Sequence, residues 1–329
     1  MFRFALSQRL LVERLESMDV QTVDSTGRGA AFEESRGRLW GVAYRMLGSR
    51  ADADDMVQEA YLRWHGAATD DVRAPQAWLV TTTTRLCIDR LRQRRAEREA
   101  YFGPWLPEPL VEEAPAADAA TELASDLSVA FLALLERLAP EERAAFLLHD
   151  VFEADYAEIA AALDKSEEAC RQIVSRARRR VREERPRARA SRAARERLVD
   201  AFIRAVELRD RDALVALFAN EATLTSDGGG KAKAAHKVVH GGASVARFFL
   251  GVLRPARERL GLRRITVNGE PGAALFVAGR LVSVISLLTD GTRILGVYNV
   301  LNPEKLRRVS LAVSPPLPPE GESRAHSAQ

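Results

Sequence analysis

The chain has 329 residues, 47% of them hydrophobic and 29% charged, enough for two or three soluble domains each with its own core. It holds no run of about 18 apolar residues, which excludes a membrane-spanning helix, and its opening MFRFALSQRLLVERLESMD is too acidic and too short in apolar run for a secretory signal. The two cysteines, Cys87 and Cys170, each stand alone in a helical pattern. They form neither a disulfide framework nor a metal-ligand spacing, and a reducing cytoplasm is the expected compartment.

The net charge of +3 hides strong segregation. Arg171 to Arg197 holds twelve Arg against three Glu, and Arg85 to Arg98 six Arg against two acids. Ser49 to Asp71 has six acids against two Arg, and Val111 to Ala130 five acids and no base. Two basic stretches set between acidic ones fit two contacts with a polyanion and a third surface for another partner.

Residues 1–30 read as a flexible extension with one short amphipathic stretch, a polar DSTGRGA linker and a second initiator at Met18. In the first block, 31–99, Leu39, Val42, Ala43, Met46 and Leu47 recur at helical spacing until Gly48, and Ser49 or Asp52 can cap the next helix. Met56, Val57, Ala60 and Tyr61 of that helix are expected inward, with Asp52, Asp55, Gln58, Glu59 and Leu62 on its open surface. A third helix is expected to run unbroken through QAWLVTTTTRLCIDRLRQRRAERE, buried through Trp78, Leu79, Thr82, Leu86 and Ile88 and basic in its C-terminal half. Four consecutive threonines need tertiary packing to hold that turn.

Between 100 and 120, GPWLPEPL places three prolines and a tryptophan where the chain cannot be helical, a stiff strap rather than a flexible spacer. In the second helical block, 121–185, Leu123, Leu127, Ala130, Leu134 and Leu138 keep one register, and a short helix starts at Pro140. DYAEIAAALDKSEEACRQIVSRARRR then gives two helices joined by a tight turn at Asp164 to Ser166. Tyr156, Ile159, Ala160 and Leu163 face inward on the first, and Ala169, Ile173, Ala177 and Val181 on the second. Arg171, Gln172, Ser175 and Arg178 point away. A basic, outward-facing second helix reads as a helix-turn-helix, with Arg and Gln suited to guanine and adenine edges.

Residues 31–185 as a whole resemble an extracytoplasmic-function sigma factor of bacterial RNA polymerase: DADDMVQEAYLRWH is similar to sigma region 2.2, APQAWLVTTTTRLCIDRLRQRR to regions 2.3 and 2.4, and RLAPEERAAFLLHDVFEADYAEIAAALDKSEEACRQIVSRARRR to region 4. The resemblance implies that Asp52, Asp55, Gln58, Glu59 and Leu62 dock on the clamp helices of the polymerase beta-prime subunit. It implies that Arg85, Asp89, Arg90, Arg92 and Arg94 open and hold the minus-ten element. Arg171, Gln172, Ser175 and Arg176 would read the minus-thirty-five element, Arg179 and Arg180 would touch phosphate, and region 4 would meet the beta flap. The linker would thread the active-centre cleft and RNA exit channel.

The third block, 192–313, opens with two amphipathic helices and continues as β-rich runs separated by Pro-Gly and Asp-Gly turns. Helices followed by a curved antiparallel sheet make an α+β cone with an internal cavity. This block resembles a SnoaL-like domain, and the subgroup of sigma factors that carry one has three marker motifs. Here they are WLPEPL (Trp105, Leu106, Pro107, Glu108, Pro109, Leu110), DGGGK (Asp227, Gly228, Gly229, Gly230, Lys231) and NPEKL, with Asn302, Pro303 and Lys305; the subgroup more often has Asp where Glu304 stands. The strap is thus expected to bind the C-terminal domain and let it regulate the protein intramolecularly, in place of a separate anti-sigma factor. Lys231 is expected to pair with an acid such as Glu108.

DGGGK is not expected to be a phosphate loop, since the Gly-Lys-Ser/Thr order and a preceding strand are absent. The alternatives are a small-ligand sensor or an isomerase- or cyclase-type enzyme in the cone, fused to a DNA-binding regulator. The expected strands offer mostly Val, Ile, Leu, Ser and Phe, and His236 and His240 fall in a loop, so no catalytic residue, metal or cofactor is assigned. A monomer in the free state and a disordered tail over 314–329 complete the expectations.

Overall fold

The computed structural model describes residues 28–67, 72, 74–112, 127–184, 190–252, 260–309 and 311. Residues 1–27 of the expected extension, the linker after Glu112, Arg185 and the tail lie outside them, whereas residues 28–30, expected in the extension, already belong to a helix. The chain divides into two units, one of residues up to Ala96 with Leu135–Glu183, the other of Glu97–Leu134 with the residues from Glu184 onward.

In the first unit, helix α1 (28–47) buries Leu39, Val42, Ala43, Met46 and Leu47 completely or nearly so. Gly48 ends it at φ +62°, its N–H donating to the Tyr44 carbonyl at 2.8 Å. The Ser49 hydroxyl then accepts from the Asp52 N–H and starts α2 (Arg50–Gly66). Val57, Ala60 and Trp64 face the bundle. Tyr61, expected inward, is 38% exposed and packs its ring on Phe32 and His65 instead. Helix α3 (Pro75–Gln93) stops short of the expected length; the chain turns at Arg94 before α4 (Arg95–Glu99). The break falls at Arg94, whose guanidinium pairs with Asp52, and the five residues beyond it form a separate short helix that buries no side chain. Thr83 and Thr84 are fully buried, so tertiary packing does hold the threonine turn.

Helix α5 (Val129–Leu135) departs from the expected register: Val129, Phe131, Leu132 and Leu135 are buried, while Ala130 and Leu134 are half-buried and Leu123 lies outside the described residues. All but the last of its residues belong to the second unit, where Val129 joins the core around Leu106. Helix α6 (Pro140–Asp150) has proline in its first turn and the Glu142 carboxylate accepting from the Ala139 N–H. Helix α7 (Tyr156–Leu163) begins with a reciprocal cap between Asp155 and Glu158 and ends where Asp164 adopts φ +54°. Ser166 caps α8 (Glu167–Glu184), which buries Cys170, Ile173, Val174, Ala177 and Val181.

The second unit carries α9 (Arg192–Glu207), α10 (Arg211–Leu217), α11 (Gly242–Val252) and α12 (Pro303–Leu306) on a seven-stranded sheet. Its strands are β1 (Val111–Glu112), β2 (Phe218–Asp227), β3 (Val239–His240), β4 (Leu260–Val267), β5 (Glu270–Val277), β6 (Arg280–Thr289) and β7 (Ile294–Val300), in the order β1-β4-β5-β6-β7-β2-β3. The expected antiparallel sheet is in fact mixed, because β2 runs parallel to β7. The end of the strap itself is a strand, β1, pairing Val111 with Val267 and Glu112 with Thr266.

Each face of the sheet has its own core. One joins Phe202, Leu214, Phe218, Leu224, Phe249, Leu275, Ile285 and Val297. Its polar groups include the hydrogen-bonded pair Ser283 and Asn299, and Ser226. The other face gathers Leu106 of the strap with Val129, Ile265, Val267, Val284, Val300 and Leu306.

Candidate polymerase, promoter and regulatory sites

On α2, Asp55, Gln58, Glu59 and Leu62 lie outward, Leu62 as much as 56% exposed, and Glu59 pairs with Arg63 at 2.9 Å. Two consecutive turns thus offer a mixed acidic and apolar strip. Asp52 does not belong to it. Its carboxylate is buried, with Arg90 Nε at 3.0 Å on one oxygen and Arg94 Nη1 at 2.5 Å on the other. Asp52 sits at the edge of the stripe that faces α3, and Arg90 and Arg94, one turn apart, close over it. Burial, reinforced by that carboxylate, pushes the Cys87 thiol well above its ordinary range.

The basic face of α3 is engaged throughout. Arg85 donates to the Ala161 carbonyl at 2.6 Å and the Ala162 carbonyl at 3.1 Å, both in the last turn of α7. Arg92 pairs with Asp89 at 3.3 Å and with Glu141 of α6 at 2.8 Å, and Lys165 meets the same Glu141 at 3.3 Å. Arg85, Asp89 and Arg92 line a cleft of about 370 Å³ with Ile88, Glu141 and Asp164.

On α8 the outward residues Arg171, Gln172, Ser175, Arg176, Arg179 and Arg180 are all exposed. Arg171 pairs with Glu167 at 2.8 Å, and its guanidinium stands 5.0 Å from the Tyr156 ring. Arg180 reaches Glu142 at 2.6 Å, with Arg176 at 3.9 Å from that carboxylate. Arg178, expected outward, is half-buried, tying α8 to Asp150 and His149. The remaining guanidiniums stand on a solvated helix face, where ion pairs exchange readily.

In the second unit the three marker motifs converge on one carboxylate. Asp227, wholly buried at the end of β2, accepts from the Tyr101 hydroxyl at 2.6 Å, the Leu106 N–H at 2.8 Å and Lys305 Nζ at 2.5 Å. Lys305 also donates to the Leu106 carbonyl, and the Asn302 amide donates to the Tyr101 hydroxyl at 2.9 Å. The Asp227 carbonyl takes the N–H groups of Leu301 and Asn302. Trp105 lies between two cations, Arg98 at 3.1 Å and Lys305 at 4.1 Å from its ring centre. Leu106, Pro107, Glu108 and Pro109 are buried, and Leu110 and Asn268 exchange two hydrogen bonds. Burial, then the bond to Asp227, raises the Tyr101 hydroxyl above the usual tyrosine range.

The glycine run owes its composition to this packing. Gly229 has φ +58°, and a Cβ there would overlap Asn302 and come within 2.9 Å of the Tyr101 hydroxyl. Gly228 is closed in by the Ala232 carbonyl, and Gly230 (φ +71°) lies under Phe102. Lys231 does not pair with Glu108. It bridges to Glu304, the next residue after Pro303, and holds that carboxyl below its ordinary range. Tyr101 escaped the sequence reading, since a single aromatic four residues ahead of Trp105 belongs to no pattern.

A helical bundle with an acidic strip, a basic helix, a helix-turn-helix and an α+β domain clasping the linker define a transcription initiation factor of the sigma class. The sigma-70 region 2 family matches residues 31–97 and sigma-70 region 4 matches 128–181. The chain is 39% identical over 289 residues to the ECF RNA polymerase sigma factor SigJ of Mycobacterium tuberculosis, covering 83% of this chain and 91% of that protein. It is 32% identical over 281 residues to the probable ECF sigma factor SigI of the same species, covering 84% and 94%. The crystal structure of M. tuberculosis SigJ superposes with a TM-score of 0.68 at 35% identity, over 84% of this chain and 97% of that one. The chain therefore belongs to the ECF sigma factors, with an α+β domain at its C-terminal side. It binds core RNA polymerase and directs promoter-specific initiation as a transcription factor. Among the described residues no helix is long and apolar enough to cross a membrane, and no group of His, Cys, Asp and Glu could hold a metal ion.

Proposed function

We propose that the SnoaL-like domain regulates this sigma factor from within, by holding the linker between regions 2 and 4. The observation that carries this is the Asp227 carboxylate, buried by the strap and bonded to Tyr101, Leu106 and Lys305. A buried charge with two donors from one segment is costly to leave unpaired, so the segment stays bound until something else satisfies it. The strap's prolines keep it extended before docking and lower the ordering cost.

In this reading Asp55, Gln58, Glu59 and Leu62 meet the clamp helices of core polymerase, while Asp52 acts behind them by fixing Arg90 and Arg94. Arg85, Asp89 and Arg92 hold the minus-ten element. Arg171, Gln172, Ser175 and Arg176 read the minus-thirty-five element, with Arg179 and Arg180 on phosphate. The factor works in the cytoplasm, as a monomer until it joins polymerase.

The test is in vitro transcription with core polymerase, comparing wild type with Trp105→Ala, Asp227→Ala and a chain truncated after Arg204. Altered initiation in all three, together with faster cleavage of the strap by protease in the first two, is the expected result. Wild-type transcription by all three would make the domain a passenger. Separately, Asp55→Lys with Glu59→Lys should weaken core binding without lowering the melting temperature, since exposed helix charges contribute little to stability.

A further inference from the structure

The first unit places the two promoter-reading regions face to face, and the contacts are specific. The last carbonyls of a helix have no partner within it. In α7 two of these, on Ala161 and Ala162, receive the guanidinium of Arg85, immediately before the turn of the helix-turn-helix. Arg92 extends beside it to Glu141, itself shared with Lys165. Arg90 and Arg94 are drawn onto Asp52. Every arginine assigned to the minus-ten element is thus occupied by protein acceptors, two of the four by region 4. Further contacts brace the same packing: Arg143 donates to the Met46 carbonyl at 2.6 Å and Arg38 to the Phe152 carbonyl at 3.1 Å.

We infer that region 4 is an intramolecular competitor of promoter DNA for the minus-ten face of region 2. The α7 carbonyls and the Glu141 carboxylate offer Arg85 and Arg92 the kind of acceptor that a phosphate would. Free protein is held in this closed form, and minus-ten engagement requires Arg85 to leave α7. The inference rests on the assignment of Arg85 and Arg92 made above. It differs from the strap mechanism in that it needs no residue of the second unit.

The apparent affinity of a protein whose competent form is a minor fraction falls by that fraction. Opening the face should therefore raise DNA affinity without any new contact. Two uncharged changes on the region 4 side do this: Ala162→Phe, a wedge at a buried position beside Arg85, and Glu141→Gln, which removes the partner of Arg92. Binding is measured by fluorescence anisotropy on the full chain without polymerase, with a labelled single-stranded 20-mer of randomised sequence as probe. Glu221→Gln, an exposed acid of β2, controls for the change in net charge.

Ala162→Phe should bind about tenfold more tightly, corresponding to roughly a tenth of the wild type being open. Glu141→Gln should gain about twofold to fivefold, more than Glu221→Gln, because half-exposed ion pairs are weak. Adding Arg85→Ala and Arg92→Ala to Ala162→Phe should remove the gain. Unchanged affinity in an Ala162→Phe protein with wild-type helical content overturns the inference. So does a Glu141→Gln gain no larger than that of Glu221→Gln, which decides the matter if the wedge variant fails to fold. A gain that survives Arg85→Ala together with Arg92→Ala overturns it too, by taking the minus-ten residues out of the effect.

Discussion

Two buried carboxylates, Asp52 in the first unit and Asp227 in the second, solve the same problem with different partners. Asp52 is neutralised by Arg90 of α3 and Arg94 just past its end, whose side chains remain 34% and 18% exposed. Asp227 is enclosed completely, and two of its three donors come from the strap, more than 120 residues away in sequence. The first arrangement stiffens a bundle that is already covalently local. The second converts one acid into a clasp on a remote segment. A third kind of contact, the Glu142 pairs with Arg176 and Arg180 on α8, lies at the solvent and can be given up at little cost.

The sharpest break in this comparison is Asp227→Ala. It strands Lys305, Tyr101 and the Leu106 N–H in a buried site and should cost about 3–5 kcal/mol, read from urea unfolding of the second unit and from protease cutting within 101–110. Asp52→Ala should cost less, about 1–3 kcal/mol, because Arg90 and Arg94 can turn to water; a loss equal to that of Asp227→Ala would erase the distinction. Tyr101→Phe comes next, at about 1–2 kcal/mol for the hydrogen bond to Asp227. Its pH dependence adds a second readout. The Tyr101 hydroxyl is raised in the folded protein, so its contribution is full below the ordinary tyrosine pKa of about 10 and is lost as pH rises beyond it. The phenylalanine variant should show a flatter alkaline melting profile. The smallest effect belongs to Lys231→Ala: its bridge to Glu304 is half exposed on both sides, and the melting temperature should not move measurably.

Sequence made the two helical regions legible because gapless apolar spacing, caps and charge lie within single helices, as in Leu39 to Gly48 or Asp155 to Ser166. The three marker motifs pointed to one another as a resemblance, yet their chemistry was visible only in space. Pairing Lys231 with Glu108 was a guess between charges 123 positions apart, and no pattern of that length decides which acid a flexible side chain reaches. The parallel pairing of β2 with β7 was equally hidden, since it joins strands separated by four others in the chain. For Asp52 a signal did exist. It shares a helical stripe with Met56, Ala60 and Trp64 rather than with Asp55, Glu59 and Leu62, and Arg90 and Arg94 repeat at one turn.

The two-residue strand β1 has a further consequence, for solubility. Both margins of the seven-stranded sheet end in strands of two residues, β1 beside β4 and β3 beside β2. Short edge strands of this kind keep unpaired backbone groups from templating a second chain. When the strap lets go of the C-terminal domain, it withdraws β1 as well, and the N–H and C=O groups of Thr266 and Val267 at the end of β4 become an open margin. A domain produced without the strap should therefore self-associate through β4 at high concentration, and a charged residue in place of Val267 would not restore the missing hydrogen bonds.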